Sequence, residues 1–318
     1  MNEESLWRPS ATIDSLRQRA QLLAKIRRFF NERGYLEVET PAMSRFGITD
    51  VYLTNIIATF RGQPYCLQTS PEYHMKRLLA AGSGPIFQLA KVFRDDELGR
   101  WHNPEFTMLE WYQLNIDHHG LMDEMDALLQ TILHCPPMYR KTYQQVFLEI
   151  CELDPLTASV AELQKTLERF ELDRVLTPGE QDPDQYLFLL MSHVVEPALG
   201  KDPIPVAVYD FPISQAALAK VNQGVAERFE IYVQGVELAN GFHELTDANA
   251  QAARFQQDLE TRRLKGLAEP VPDEYLLQAL AHGLPPCSGV ALGIDRLLTL
   301  ALKQPSIANA LSFDFARA

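Results

Sequence analysis

Phe93-Arg94-Asp95-Asp96-Glu97-Leu98-Gly99-Arg100-Trp101-His102-Asn103-Pro104-Glu105-Phe106 is a polar loop held between two apolar runs, residues 86–93 and 105–112. The length and composition of both runs predict strands. In the second, Phe106, Met108, Glu110 and Tyr112 fall on one face by the strand period of two. The loop adds Arg94, Arg100, His102 and Asn103. A guanidinium beside an aromatic on a sheet face suits a phosphate joined to a flat base. A solvated hairpin with a half-buried aromatic stripe accounts for the same residues, and for this segment alone that simpler reading is preferred.

Outward from this hairpin, helices and strands mix without a regular β-α-β alternation. The expected class is therefore α+β with an antiparallel sheet flanked by helices, not a doubly wound sheet. Leu16, Ala20, Leu23, Ile26 and Phe30 recur at helical spacing, which predicts a helix over 15–33 with Asp14 as its N-cap and Gly34 as its stop. A short strand follows and ends at Pro41. Residues 56–60 and 65–68 read as strands joined across Arg61-Gly62-Gln63. Ser70-Pro71-Glu72 has the chemistry of a helix start: a hydroxyl cap, a proline in the first turn and an acid at the positive end. The middle of the chain, roughly 114–205, is less legible, with helices at 121–133, 160–170 and 186–195. Beyond it come a strand at 206–209, a hairpin around Gln234-Gly235, a helix over 247–264, a helix at 274–281, a strand at 290–292 and a last helix from Ile294. No linker stands out, so residues 1–318 are taken as one domain.

Composition sets the outer bounds. The chain has 318 residues, 46% of them hydrophobic and 22% charged, which is ordinary for a soluble globular protein. No apolar run approaches the roughly 18 residues a membrane helix needs. The start carries no basic and apolar leader, so a cytoplasmic location is expected. Cys66, Cys135, Cys151 and Cys287 form no C-x-x-C pair, which argues against a disulfide framework or a zinc site. Basic residues number 29 against 42 acidic, a net charge of −13, the opposite of what a phosphate-backbone binder usually shows. Walker-type and dinucleotide-type glycine loops are absent. Asp117-His118-His119 with Asp123 invites a metal reading, but no other histidine or acid recurs at ligand spacing, and a polar loop before a helix suffices.

Two further stretches carry chemistry. In Arg228-Phe229-Glu230-Ile231-Tyr232-Val233-Gln234-Gly235-Val236-Glu237, a two-residue turn at Gln234-Gly235 pairs Val233 with Val236 and Tyr232 with Glu237. Glu230 then becomes the diagonal neighbour of Glu237. Two adjacent carboxylates repel unless a cation lies between them, and a phosphate-bound Mg²⁺ fits that place. A surface hairpin with two solvated acids is the alternative. In Gly289-Val290-Ala291-Leu292-Gly293-Ile294-Asp295-Arg296, an apolar strand runs into a helix with an arginine in its first turn. Backbone can approach a ligand at Gly293, and Arg296 can meet an anion there. A packed strand–helix junction is the alternative.

Each stretch is weak alone, and their order changes the reading. A helix ending in a strand and Pro41, then Arg94-x-Asp96 before a loop and Phe106, then Gly293-Ile294-Asp295-Arg296, resemble motifs 1, 2 and 3 of class II aminoacyl-tRNA synthetases. Pro71-Glu72-x-x-x-Lys76-Arg77-Leu78, His102-Asn103-Pro104-Glu105-Phe106-Thr107-Met108, Asn240-Gly241-Phe242-x-Glu244-Leu245 and His282-Gly283-Leu284-Pro285-Pro286 resemble the lysyl-tRNA synthetase catalytic domain. The resemblance covers nearly the whole chain. Motif 1 begins near residue 14, which leaves no room for the anticodon-binding OB barrel. In this the chain resembles the truncated lysyl-synthetase paralogues that attach (R)-β-lysine to a lysine of translation elongation factor P.

The resemblance implies the class II catalytic fold, a homodimer, and ATP and Mg²⁺ as cofactors. It implies that Arg94 holds the α-phosphate, with Asp95 and Asp96 beside it, and that Asn103 and Phe106 receive the adenine. Leu238, Gly293 and Arg296 complete the ATP site, Arg296 near the γ-phosphate. Glu230 and Glu237 hold Mg²⁺, and Glu237 also borders ATP. Ser70, Pro71 and Glu72 meet the amino-acid end, Glu244 and Tyr112 its distant ammonium, and Ala291 the pocket floor. Catalysis is then positioning plus charge neutralisation by Arg94, Arg296 and the metal, with attack of a carboxylate on the α-phosphorus. Three positions depart from the lysyl pattern: Asp96 in place of Glu, His243 in place of Ser and Ala291 in place of Gly. Two other functions stay open, an aminoacylating enzyme for a tRNA or other small acceptor, and a regulatory paralogue that binds amino acid without chemistry. The missing barrel and the acidic balance weigh against tRNA. The intact Arg94, Glu230, Glu237 and Arg296 set weighs against the regulator.

Overall fold

The computed structural model describes residues 7–95, 98–200 and 202–318. Asp96, assigned above to ATP, lies outside the described residues. In chain order the first elements are α1 (Ile13–Asn31), β1 (Leu36–Glu37), β2 (Met43–Ser44), β3 (Ile57–Phe60), β4 (Gln63–Leu67), α2 (Glu72–Ala80), β5 (Ile86–Phe93) and β6 (Glu105–Leu114). There follow α3 (His118–Leu133), β7 (Tyr139–Thr142), α4 (Tyr143–Cys151), α5 (Val160–Arg169), α6 (Pro183–Leu190), α7 (Glu196–Leu199), β8 (Val206–Phe211), β9 (Val221–Asn222), β10 (Val225–Val233) and β11 (Val236–His243). The chain closes with α8 (Ala248–Leu264), α9 (Glu274–Gly283), β12 (Cys287–Gly293) and α10 (Ile294–Ala301).

The chain packs as two compact units. One comprises residues 1–117, 131–133 and 245–318. Its sheet runs β1-β5-β6-β12, with β1 parallel to β5 and the other pairs antiparallel. A small three-stranded antiparallel sheet, β2-β4-β3, belongs to the same unit. α1 buries Ile26, Phe29 and Phe30 against this unit's sheet, where the Phe30 ring stacks on Phe87 at 4.7 Å and meets Trp111 edge-on at 5.2 Å. The α1 cap is Thr12, not Asp14: the Thr12 hydroxyl accepts from the Ser15 amide at 3.1 Å, and Asp14 sits inside the first turn. The start of α2 differs in a similar way. Pro71 occupies the cap position without a side-chain bond, and the Ser70 hydroxyl, one residue earlier, accepts from the Glu72 amide at 3.0 Å.

The other unit comprises residues 118–130 and 134–244. Its sheet runs β11-β10-β8-β7, with β9 beside β10 and only the β7–β8 pair parallel. Tyr143, Phe147, Leu163, Leu167, Tyr186 and Phe211 form much of its core. The α4 helix lies outside the helices expected in this part of the chain. It is held by a capping box in which Thr142 and Gln145 exchange side-chain to backbone bonds. The 186–195 helix is two pieces, α6 and a π turn over Met191–Val195.

Candidate active site

In the first unit the β5–β6 hairpin sets Arg94 at the exit of β5 and Phe106 at the entry of β6. The Arg94 guanidinium carbon lies 5.3 Å from the Phe106 ring centroid. A base inserted against Phe106 would thus carry its phosphates toward Arg94. Asp95 is exposed, and its amide bonds to the Thr54 carbonyl at 3.2 Å. Asn103 spans to the chain end: its amide nitrogen donates to the Glu105 carbonyl at 2.6 Å, and its oxygen accepts from the Phe315 amide at 3.0 Å. Gly293 ends β12 and caps α10, and Arg296 sits one turn in. The Arg296 guanidinium donates to the Trp101 carbonyl at 3.1 Å and reaches His102 Nε2 at 2.5 Å. The two arginines of the expected ATP site are therefore both tied to the loop between β5 and β6.

Farther along the same face of β6 lies a buried polar cluster. Glu110 is 2% exposed; its carboxylate accepts from the Ser70 hydroxyl and the Tyr112 phenol, each at 2.7 Å. Ala291 is directly opposite Glu110 on β12, so its methyl leaves the sheet on that face, beside Met108 and Phe106. Glu72, on the first turn of α2, pairs with the buried Lys76 at 2.6 Å. Burial, and then the neighbouring Glu72 charge, push the Glu110 carboxyl up to about 8, against the hydrogen bonds from Ser70 and Tyr112. Strand period alone puts Glu110 on this face, and its role shows only in the folded cluster. An acid inside an otherwise apolar strand, on the face of Phe106 and Tyr112, was the available signal. A pocket beside the cluster is walled by Ser70, Glu72, Tyr73, His74, Gln68 and Asp273.

In the second unit the β10–β11 hairpin turns at Gln234-Gly235, both at positive φ, with Val233 opposite Val236 and Tyr232 opposite Glu237. Beyond that pair the register shifts by one residue. Ile231 faces Ala239, so Leu238 is the extra residue of a bulge, its side chain buried. Glu230 is buried, and its two oxygens are engaged by Arg228 and by the Tyr232 hydroxyl. Burial raises the Glu230 pKa; Arg228 opposes this and Glu237 adds to it, leaving the carboxyl above its ordinary value. Two hard oxygen donors whose charges oppose each other suit a divalent cation, and each Glu230 oxygen keeps a second lone pair for it. Glu244, also of this unit, is 2% exposed and follows directly on β11.

The family description "tRNA synthetases class II (D, K and N)" matches residues 5–316. The chain belongs to the class II tRNA synthetases. Such a synthetase draws on ATP and a divalent metal, and the fold agrees with an antiparallel-dominated sheet flanked by helices. This synthetase is 50% identical, over the full length of both chains, to the "Elongation factor P--(R)-beta-lysine ligase" of Salmonella typhi. It is equally similar, at 50% and full coverage, to the ligase of the same name from Salmonella gallinarum (strain 287/91 / NCTC 13346). Among the described residues no helix is long and apolar enough to cross a membrane.

Proposed function

We propose that the chain is an ATP-dependent, AMP-forming protein ligase. It activates (R)-β-lysine as the adenylate and passes it to a lysine ε-amine of translation elongation factor P. The observation that carries this reading is the full-length identity with ligases of that name. The pairing of Arg94 with Phe106 and the acid-rich face beside Ser70 and Glu72 supply matching chemistry.

On this reading adenine stacks on Phe106, and Arg94 and Arg296 neutralise phosphate charge as the substrate carboxylate attacks the α-phosphorus and the bond to the β-phosphate breaks, releasing pyrophosphate. Asn103 borders the base. Glu230 and Glu237 are the residues that would hold Mg²⁺, which when bound offsets polyphosphate charge. Glu72, Ser70 and Glu110 present oxygens to one ammonium of the substrate. Tyr112 and Glu244 serve the distant one, since a buried ammonium demands fixed opposite charge. The single-domain reading of residues 1–318, the homodimer and the cytoplasmic location belong to the same proposal.

Incubation of the purified chain with ATP, Mg²⁺ and radiolabelled (R)-β-lysine, together with elongation factor P or bulk tRNA, tests it. Label should appear on the protein and not on tRNA. Label on tRNA, or no pyrophosphate exchange with β-lysine, would overturn the assignment.

A further inference from the structure

α3 opens with His118, a side chain 4% exposed. Its Nε2 lies 3.2 Å from Asp210 Oδ1, while its Nδ1 is buried with no hydrogen-bond partner among the described residues. A buried nitrogen left unpaired is destabilising, so its retention calls for a cause. Two further ligand-type side chains converge on the His118 ring. Glu227 comes from β10, and His243 ends β11. One donor atom from each of His118, Glu227 and His243 lies within 4.8 Å of the other two.

We propose that His118, Glu227 and His243 form a binding site for a divalent transition-metal ion of the zinc class. Two imidazole nitrogens, which are borderline donors, joined by one carboxylate make a set that zinc and cobalt prefer over Mg²⁺. Asp210 supplies the expected outer partner. If His118 Nε2–H donates to Asp210, the tautomer is fixed and the Nδ1 lone pair is left for the metal. Asp210 holds a left-handed backbone, φ 59°, within β8. The pairing of β10 with β8 is irregular between Ala226 and Phe229, which places Glu227 in the disturbed stretch, where a bulge re-aims side chains. The other Glu227 oxygen is fixed by Asn222 Nδ2 at 2.9 Å.

The distances state what binding would change. Donors around a tetrahedral zinc lie about 3.4 Å apart, given bonds of about 2.0–2.1 Å. The donors of His118, Glu227 and His243, now within 4.8 Å of one another, would settle at that spacing. The His243 Nδ1 to Glu227 Oε2 contact, now 2.5 Å, must open as the ion replaces the shared proton. The ion would clamp the start of α3, the irregular part of β10 and the end of β11. This assignment stands on the cluster itself and does not depend on the ligase reading. It also differs from the Glu230–Glu237 pair, which offers oxygens alone.

The test uses the full chain stripped with chelator and titrated with Co²⁺ in excess Mg²⁺, which keeps the carboxylate pair supplied with a hard ion. The expected result is one Co²⁺ per chain with the strong visible absorption of a low-coordinate nitrogen–oxygen site, displaced by Zn²⁺. Zn²⁺ should also raise the thermal unfolding midpoint. His243→Ser and His118→Gln should each weaken Co²⁺ binding about tenfold or more, and Glu237→Gln should leave the spectrum as it is. Absence of a stoichiometric visible band in the wild-type chain overturns the proposal. So does a band of unchanged affinity in His243→Ser that circular dichroism shows to be folded. The wild-type titration decides even if the His118 variant fails to fold.

Discussion

Glu110 holds its carboxyl far from the range it has in water. Its carboxyl rises from an ordinary value near 4.5 to about 8 through burial and the Glu72 charge. The folded chain therefore holds a proton there that the unfolded chain releases at lower pH. Stability credited to this group is fully present below about 4.5 and is lost as pH rises toward about 8. The effect is on the order of a few kcal/mol. Glu110→Gln keeps the shape and removes the titration, so urea unfolding of the variant should show a flatter dependence across that window. Equal slopes would remove Glu110 as the source. Ala291 makes a second residue-scale prediction. Its methyl stands opposite Glu110 on the face that the proposed reading gives to the amino acid. A methyl there should crowd an α-amine and tolerate an amine moved one carbon along. Ala291→Gly should raise kcat/KM for α-lysine relative to β-lysine by roughly 10-fold, within the about 10–200-fold that one methylene-sized contact commands. An unchanged ratio would mean that Ala291 only packs against Met108 and Phe106.

At the scale of elements, the β10–β11 hairpin shows what a sequence discloses. Gln234-Gly235 fixes a two-residue turn from local chemistry alone, so the pairing of Tyr232 with Glu237 is legible in the residues themselves. The bulge at Leu238 is not, because no residue there demands it. β5 and β6 are equally clear from apolar length. The Ser70–Glu110–Tyr112 cluster and the His118–Glu227–His243 convergence are hidden because their members meet only after α2 and β6, or α3, β10 and β11, have packed. The helix α4 is missed because its neighbourhood mixes prolines and polar residues without a clean period. The hairpin turn also has a support that only the fold reveals. A Cβ on Gly200, at the end of α7, would fall 2.6 Å from the Gly235 amide nitrogen and 2.8 Å from the Gln234 carbonyl carbon. Both contacts are backbone and cannot swing aside. Gly200→Ala should therefore lower stability by about 1–3 kcal/mol, read as a lower thermal midpoint. Gly99→Ala, where a Cβ meets nothing within 4 Å, is the control and should be near neutral.

At the scale of the whole molecule, the surface of the first unit bears on assembly. After α1 the chain leaves Leu36 on β1 53% exposed and Ile57 on β3 57% exposed, with Met43 on β2 and Phe60 on β3 also well exposed. Large apolar side chains on short strands usually mark a contact surface, since their exposure costs about 25 cal/mol for each Å² left in water. A self-complementary contact through the α1–β3 region would cover them on both copies at once. Such a contact needs about 1,200 Å² or more to persist at micromolar concentration. Light scattering should then give a mass near twice the chain's 36.1 kDa. The double variant Ile57→Asp, Phe60→Asp places charge on the exposed strand, where it costs the folded unit little but would bury unpaired carboxylates in a dimer. It should run as a folded monomer. A wild-type chain that is already monomeric at micromolar concentration would refute the dimer. A double variant that stays dimeric would move the contact away from β3 and onto another face of the molecule.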